Sequence, residues 1–431
     1  MHFDFRTDGS VNPLLRAGAL ARRSLLAAMC LVAAPALAQP AAGLSFARAQ
    51  VLAVDRAPML AARQASVDAA AQLRISADQL PDPRLLAGIN NLPISGENRL
   101  SLSAEPMTMS NIGLMQDVPN RAKRAARLQG AEARIERERA LLEAERLGVQ
   151  REVAQAWLMR YFVERQLTLF QALETENRLL RDTVDARIAG GKAMPADSTM
   201  ARQEALALAD RRDELVRERN KALATLARWL GDEASLPLAG DPPALTVEAA
   251  ALQRGIARQA DLRVFDPMAR MTNAEVLEMD AAKQGDWNWE FMYSRRGSAY
   301  GDMVSFQFTF ELPFWADKRQ DPQIAAKQKE AQRIESERED MTRRRREEID
   351  LELAEIDELA RKLDRLRQAA LPLANERVTL AMAAYEAVRG DLAAVLVARR
   401  ERTEVGLREV ELEARQYVLR AKLNYLMAEQ H

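Results

Sequence analysis

Apolar residues recur every seven positions along residues 121–188, on two separate lines. The first line is Leu128, Ile135, Leu142, Val149, Ala156, Val163 and Phe170. The second is Ala126, Ala133, Ala140, Leu147, Ala154 and Tyr161. The lines are two positions apart, roughly 200° around an α-helix, so they predict a helix with apolar seams on nearly opposite faces. That pattern suits a stave with a neighbour on each side, and a helix buried in a large bundle is the alternative.

The same segment is unusually long for a helix. It has no proline, and its only glycines are Gly130 and Gly148, so it predicts a rod of roughly 100 Å at 1.5 Å per residue. Gly190 and Gly191 follow it and permit the backbone to reverse. In the second half the reversal is predicted at Arg389, Gly390 and Asp391. The comparable apolar pattern there consists of Ile349, Ile356, Leu359, Leu363, Leu366, Leu373 and Leu380.

The chain contains an internal repeat. Patterns at 116–119 and 133–136 return in the same order at 310–313 and 332–335, at an offset of about 200 residues. Each half predicts a helix, two strands, a very long helix and a further helix. We therefore predict two repeats, at 39–240 and 241–431, in which the shorter helices lie at 44–80, 197–230 and 245–283.

Strict alternation marks the predicted strands of the second half. Polar residues alternate with an apolar series, which predicts strands with one aromatic face. A soluble half-buried strand shows the same alternation, but the aromatic content favours a lipid-facing surface. Fainter strands are predicted in the first half at 84–91 and 100–118, the latter interrupted by Pro106. The predicted lipid-facing aromatics are Trp287, Trp289, Phe291, Tyr293, Phe306, Phe308 and Phe310.

The amino terminus has the features of a secretory signal. Arg22 and Arg23 precede an apolar run that closes on Ala36, Leu37 and Ala38, so we expect residues 1–38 to be removed. The run is too short for a retained membrane helix. Cys30 could accept a lipid, but the bulky Met29 before it disfavours that modification.

The composition argues against several classes of function. After residue 38 the chain has no cysteine, and its one histidine is His431, which argues against a thiol nucleophile, a histidine-built zinc site or an enzyme. The formal net charge of −1 gives no general attraction to nucleic acid. No long apolar window follows the signal, so a membrane span has to be built of strands. Four strands cannot close a barrel, which needs about eight or more, so several copies must pool their strands.

The whole mature chain resembles the TolC-like outer-membrane efflux family. The repeated helix-strand-strand-helix-helix plan matches, as do Asp82, Pro83 and Arg84 before the first strand. Gly190 and Gly191 followed by Asp197 and Ala201 match as well, with a counterpart at 385–398. Residues 88–94 and 107–117 resemble the heavy-metal (CzcC-like) branch.

The resemblance implies a mainly α-helical protein with a membrane β-barrel segment. Three copies would form a twelve-stranded barrel in the outer membrane of a Gram-negative bacterium, continuous with a long α-helical coiled-coil tunnel that places most of the mass in the periplasm. The homotrimer would contact outer-membrane lipid and serve a periplasmic adaptor (membrane fusion) protein and an inner-membrane proton-driven efflux pump. It would conduct exported solute passively, heavy-metal cations in this branch, with no cofactor.

The resemblance also places adaptor docking and the gate at the helical tips. The residues concerned are Gly190, Gly191, Asp197, Arg389, Gly390 and Asp391. Better-known members narrow the entrance with acidic residues shortly after the second tip, whereas this chain has Ala394 and Val397 there. Asp197 and Asp391 are then the remaining acidic candidates.

Other interpretations stay open. Met107 and Met109 are potential soft-metal ligands, although gap-filling packing is methionine's more common role. The basic run 343–346 is followed directly by Glu347 and Glu348, which is typical of a solvated helix face. A duct for drugs or other organic compounds, a periplasmic adaptor and a pore-free coiled-coil scaffold are the competing functions.

Overall fold

A computed structural model describes residues 43–426. The predicted signal at 1–38, with Cys30, and His431 lie outside the described residues. Ser45 begins the first helix by accepting a hydrogen bond from the Arg48 N–H at 3.2 Å. Pro58 divides the predicted 44–80 helix in two. The elements of the first half are α1 (Phe46–Arg56), α2 (Pro58–Ala77), β1 (Arg84–Asn90), β2 (Met109–Val118), α3 (Arg121–Ala189) and α4 (Pro195–Leu230).

The second half repeats this order with two departures. The helix expected at 245–283 is broken into three pieces, first by a 3₁₀ turn at Ile256–Arg258 that follows Gly255 and then at Val264. The second rod is interrupted by a π-helical turn at Leu366–Ala370, just before Pro372, since proline lacks the N–H that an α-helix needs there. The elements are α5 (Ala249–Arg254), α6 (Ala260–Arg263), α7 (Phe265–Ala281), β3 (Trp287–Arg295), β4 (Met303–Phe310), α8 (Gln320–Arg365), α9 (Leu371–Glu386) and α10 (Leu392–Asn424).

The long helix α3 has 69 residues, close to the predicted bounds. Asn120 caps it by accepting a hydrogen bond from the Lys123 N–H at 2.8 Å. Its first half pairs with α2 and α7, as in the ion pair of Arg127 with Glu278, and its second half with α4 and α10. Helices therefore pack on more than one side of α3, as the two seams predict.

The largest core lies midway along α3. Trp157 is fully buried, donates its indole N–H to the Leu44 carbonyl at 3.0 Å and stacks on Tyr161 at 5.5 Å. Phe162 extends this core to Tyr417 of α10, with ring centroids 5.4 Å apart. The two repeats thus share a core at this level.

The strands form one antiparallel sheet in the order β1-β2-β3-β4. The strand expected at 100–118 is shorter than predicted and begins at Met109. The preceding residues form a loop instead, in which Leu100 has φ +58° and the Thr108 hydroxyl donates to the Asn91 carbonyl at 3.0 Å. Within residues 43–426, no helix is both long and apolar enough to cross a membrane.

Candidate functional site

The aromatic residues of β3 and β4 lie on one face of the sheet. Trp289 is opposite Phe308, and Phe291 is opposite Phe306 with ring centroids 5.3 Å apart. Exposure is high on β4, where Phe306 and Phe310 are each 64% exposed, whereas Trp287 is half-buried. All seven predicted aromatics share this face, while their contact with lipid stays a prediction.

The first repeat extends the same apolar face, which the sequence did not predict. Ile112 lies opposite Tyr293, and Leu114 opposite Phe291 and Leu85. Leu85 is 72% exposed and Ile112 52%. The signal was present in the alternation of Leu85, Ala87 and Ile89, but it lacks aromatic residues.

The other face of the sheet is largely polar. Side chains on this face alternate with the aromatics along each strand. Its apolar exceptions are Leu86 of β1 and several methionines, which include Met109 and Met115 of β2, Met292 of β3 and Met303 of β4. The polar residues are Asn111, Asp117, Asn288, Glu290, Ser294, Ser305, Gln307 and Thr309.

Both edges of the sheet are open. Within the described residues, no strand pairs with the outer edge of β1 or of β4. Each edge therefore presents unpaired backbone N–H and C=O groups, which readily pair with another strand.

A hydrogen-bonded junction joins the sheet to α3. The Asp286 carboxylate, just before β3, accepts the Asn120 N–H at 2.9 Å and the Lys123 ammonium at 2.8 Å. Burial by itself would raise the pKa of the Asp286 carboxyl, but these bonds outweigh it and the pKa lies below its usual value. One carboxylate thus ties the start of β3 to the first turn of α3.

The first helical tip lies between α3 and α4. Gly190 ends α3 with φ −89°, and Gly191 takes φ +70°, which favours glycine. The Asp197 carboxylate accepts the Met194 N–H at 3.0 Å. This predicted entrance acid therefore also stabilises the start of α4.

The second tip lies between α9 and α10 and includes the predicted residues 389–391, but its left-handed residue is not the glycine. The left-handed residue is Val388, with φ +57°, and not Gly390. Glycine at 390 instead permits a close approach, since a Cβ there would lie 3.1 Å from that of Ala384. Arg389 donates its N–H to the Ala384 carbonyl at 2.9 Å, and Asp391 accepts the Ala394 N–H at 2.8 Å as the α10 cap.

The two tips contact each other through residues that the sequence did not single out as a pair. The Arg187 guanidinium lies 4.2 Å from the ring centre of Tyr385 and donates to the Tyr385 carbonyl at 3.3 Å. Tyr385 is 5% exposed, and its hydroxyl is buried without a hydrogen-bond partner. An apolar cluster surrounds this contact, consisting of Leu180, Val184, Leu392, Val395 and Leu396.

Charged pairs join the hairpins just above the tips. Arg402 binds Glu176 at 2.9 Å, and Arg400 forms an ion pair with the buried carboxylate of Glu204. Arg399 donates to the Glu176 carbonyl at 3.4 Å, and burial lowers the pKa of the Arg399 guanidinium. α3 of the first hairpin is therefore held to α10 of the second by both apolar and charged contacts.

No protein family and no curated protein matches this sequence. Solved structures do match its fold. A membrane protein from Pseudomonas aeruginosa is 19% identical with a TM-score of 0.75, over 90% of this chain and 91% of that chain. The outer membrane protein VceC from Vibrio cholerae is 17% identical with a TM-score of 0.73, over 88% of this chain and 95% of that chain. The open-state MtrE outer membrane channel of Neisseria gonorrhoeae is 17% identical with a TM-score of 0.67, over 89% of this chain and 88% of that chain.

These likenesses establish the fold. The chain has the architecture of outer-membrane channel proteins, mostly helical with a small antiparallel sheet, as the TolC-like resemblance predicted.

Proposed function

We propose that this chain is one protomer of a homotrimeric outer-membrane duct in a tripartite efflux system. The duct conducts solute passively and catalyses no reaction. A periplasmic adaptor docks on its helical tips and connects it to an inner-membrane proton-driven pump, and most of its mass lies in the periplasm.

One observation carries the proposal: within residues 43–426, a four-stranded sheet exposes an aromatic face and has no strand paired with either edge. Unpaired backbone groups are too costly in hydrocarbon for an open sheet to persist there. Pairing β4 of one copy with β1 of the next repeats around a ring until it closes. Three copies of the four-stranded sheet give twelve strands, a closed barrel with aromatics outside and the polar face inside.

The helices continue the duct away from the membrane. At 69 residues, α3 extends roughly 100 Å. The polar residues that cover these helices keep a passing solute hydrated.

The tips form the gate and the docking surface in this proposal. The backbone reversals at 190–191 and 388–391 carry the segments that an adaptor would touch. The Arg187–Tyr385 contact and its apolar cluster hold the two hairpins together in the closed form. An adaptor that binds the separated form better shifts the equilibrium towards opening.

Heavy-metal cations are the proposed cargo, on the resemblance of residues 88–94 and 107–117 to the metal branch. Deletion of the gene followed by a sensitivity panel tests this assignment. Sensitivity to zinc, cobalt, cadmium or copper supports it, whereas sensitivity to dyes or drugs alone replaces it with an organic-compound duct.

Two adjacent positions on β4 provide a matched test of the membrane assignment. Gln307 and Phe308 are both exposed but lie on opposite faces. Single cysteines at each position, in a Cys30→Ser background, would be treated in intact outer membranes with a charged, water-soluble maleimide. We expect Gln307→Cys to be labelled through the aqueous interior and Phe308→Cys to be protected by lipid.

The same material gives the oligomeric state by light scattering in detergent. Equal labelling of both cysteines, or a monomer that dissolves without detergent, would overturn the duct and favour the pore-free scaffold.

A further inference from the structure

The methionines on the polar face of the sheet lie along a diagonal. Each methionine of the diagonal lies on the next strand and two residues further along the same face than the one before it. Met115 of β2 lies opposite Glu290, and Met292 of β3 is two residues beyond Glu290. Met303 of β4 lies opposite Ser294, which is two residues beyond Met292. Diagonal neighbours on one face are about 7–8 Å apart at their Cα atoms, within reach of long side chains. Met109 lies beyond the diagonal on β2, two residues before Asn111.

An unsatisfied polar atom lies beside this diagonal. Asn111 is 8% exposed, and its side-chain Oδ1 is buried with no hydrogen-bond partner. Buried amide oxygens almost always have a partner, and an orphaned one calls for an explanation such as a bound ion. Asn111 lies directly opposite Ser294, which in turn lies opposite Met303.

The register therefore groups three donors around Ser294. Asn111 is on one neighbouring strand, Met303 is on the other, and Met292 lies two residues before Ser294 on the same strand and face. Gly113, opposite Met292, has no side chain, and a Cβ there would be 2.7 Å from the Phe291 carbonyl oxygen. No side chain at position 113 therefore lies between Met292 and the first strand.

The donor chemistry selects the ion. Thioether sulfurs are soft ligands that favour monovalent copper over zinc, magnesium or calcium. They carry no charge, so a bound cation is held weakly enough to leave again, as a conducting wall requires. Glu290, two residues from Met292 on the same face, adds a negative charge that attracts cations.

We propose that Met292, Met303 and the Asn111 amide oxygen form a binding site for a soft monovalent cation, Cu(I) or Ag(I). The inference rests on the proposed function in one respect, that the polar face lines the duct. Within that function it narrows the cargo from heavy metals in general to thioether-binding monovalent ions.

Silver is the practical probe, because Ag(I) does not change oxidation state in air. The protein would be produced from a gene that carries Cys30→Ser, so that no thiol competes, purified from outer membranes and dialysed against silver nitrate in chloride-free buffer. Bound silver is counted by mass spectrometry. We expect saturable binding at the proposed site that excess zinc does not displace.

Substitution then separates this site from general thioether binding. Met292→Leu with Met303→Leu conserves side-chain volume and should weaken silver binding by about tenfold or more, since losing even an indirect ligand contact costs about that much. Asn111→Leu should also weaken it. The matched control, Met59→Leu with Met159→Leu, removes two exposed methionines from the helices α2 and α3 and should leave binding unchanged.

Equal losses in the double variant and its control would overturn the proposal, as would the absence of saturable binding in the parent protein. Conductance of each variant in potassium nitrate is measured separately in planar bilayers. A conducting protein that binds no silver refutes the ion site and leaves the duct standing. A protein that binds silver at these residues but forms no pore refutes the duct and keeps the ion site.

Discussion

The contact between Arg187 and Tyr385 gives the sharpest prediction about opening. The guanidinium lies 4.2 Å from the ring centre, and the ring is almost completely buried between the two hairpins. We expect Arg187→Ala to favour the open form of the duct, because the contact exists only while the tips are together.

The size of the effect follows from the burial of this pair. A partly desolvated cation–π contact is worth about 1 kcal/mol. If three copies open together, the loss is about 3 kcal/mol, which changes the ratio of closed to open forms by about a hundredfold. An effect of that size is visible in the open probability of single channels.

Variants of the same two residues separate the ring from the hydroxyl. The Tyr385 hydroxyl has no hydrogen-bond partner, so Tyr385→Phe should conduct like the parent protein, whereas Tyr385→Ala should open like Arg187→Ala. Arg178→Ala removes an exposed arginine from the same helix and should change nothing.

The measurement is single-channel recording of purified protein in planar bilayers, without an adaptor. If Arg187→Ala and Tyr385→Ala both keep the parent open probability in trimers that fold normally, the contact is not part of the closed state's stability. Opening by Tyr385→Phe would also contradict the reasoning, since it would assign the effect to the hydroxyl.

Two further predictions concern the sheet. Phe308→Arg should cost about 2–4 kcal/mol near the middle of the lipid-facing band and lower the yield of heat-resistant oligomer in outer membranes. Gln307→Arg, on the polar face, should be tolerated, and equal yields of the two variants would count against the assignment. Asp286→Asn should lower the thermal midpoint at neutral pH, where the ionised carboxylate holds Asn120 and Lys123. Because the folded-state pKa lies below its ordinary value of 3.8, this stabilisation is complete above that value and is lost as the pH falls below it. A difference between Asp286→Asn and parent that does not shrink towards pH 3 would refute the linkage.

Elements with strong local periodicity were predictable from the sequence. Helix α3 occupies Arg121–Ala189, against the predicted 121–188, since two seven-residue lines and an absence of proline specify it locally. β3 and β4 were found for the same reason. Period-two alternation with aromatic residues needs no knowledge of the partner strand.

The incorrect predictions concern segments whose structure is not specified by the local sequence pattern. Residues 245–283 are rich in apolar side chains, yet Gly255 and packing against α8 break the helix. Val388 adopts a positive φ, which valine rarely does, although Gly390, two residues later, was the predicted reversal point. At both positions tertiary contacts outweigh residue preference.

Half of the candidate site could be predicted, and half depended on pairing distant segments. The aromatic face and the two tips were recognisable in the sequence. The apolar contribution of β1 and β2 depends on the register of β2 with β3, about 180 residues apart in sequence. The contact of Arg187 with Tyr385 joins residues 198 apart, and no periodicity specifies such a pair.

The distribution of contacts between the hairpins also indicates how opening proceeds. Phe162 and Tyr417 join them inside the main core, which is the largest apolar cluster. Towards the tips the apolar cluster is smaller, and it acts together with partly exposed ion pairs that are worth about 0–1 kcal/mol each. Separation should therefore begin at the tips and pivot about the core.

Two ion pairs test this, since both join α3 to α10: Glu176 with Arg402 at 2.9 Å, near the tips, and Arg165 with Glu413 at 2.5 Å, near the core. Each pair would be replaced by two cysteines, which are then bridged with the same short crosslinker. We expect the bridge between positions 176 and 402 to abolish opening and the bridge between positions 165 and 413 to permit it. Loss of opening at both would mean that the hairpins separate along their whole length.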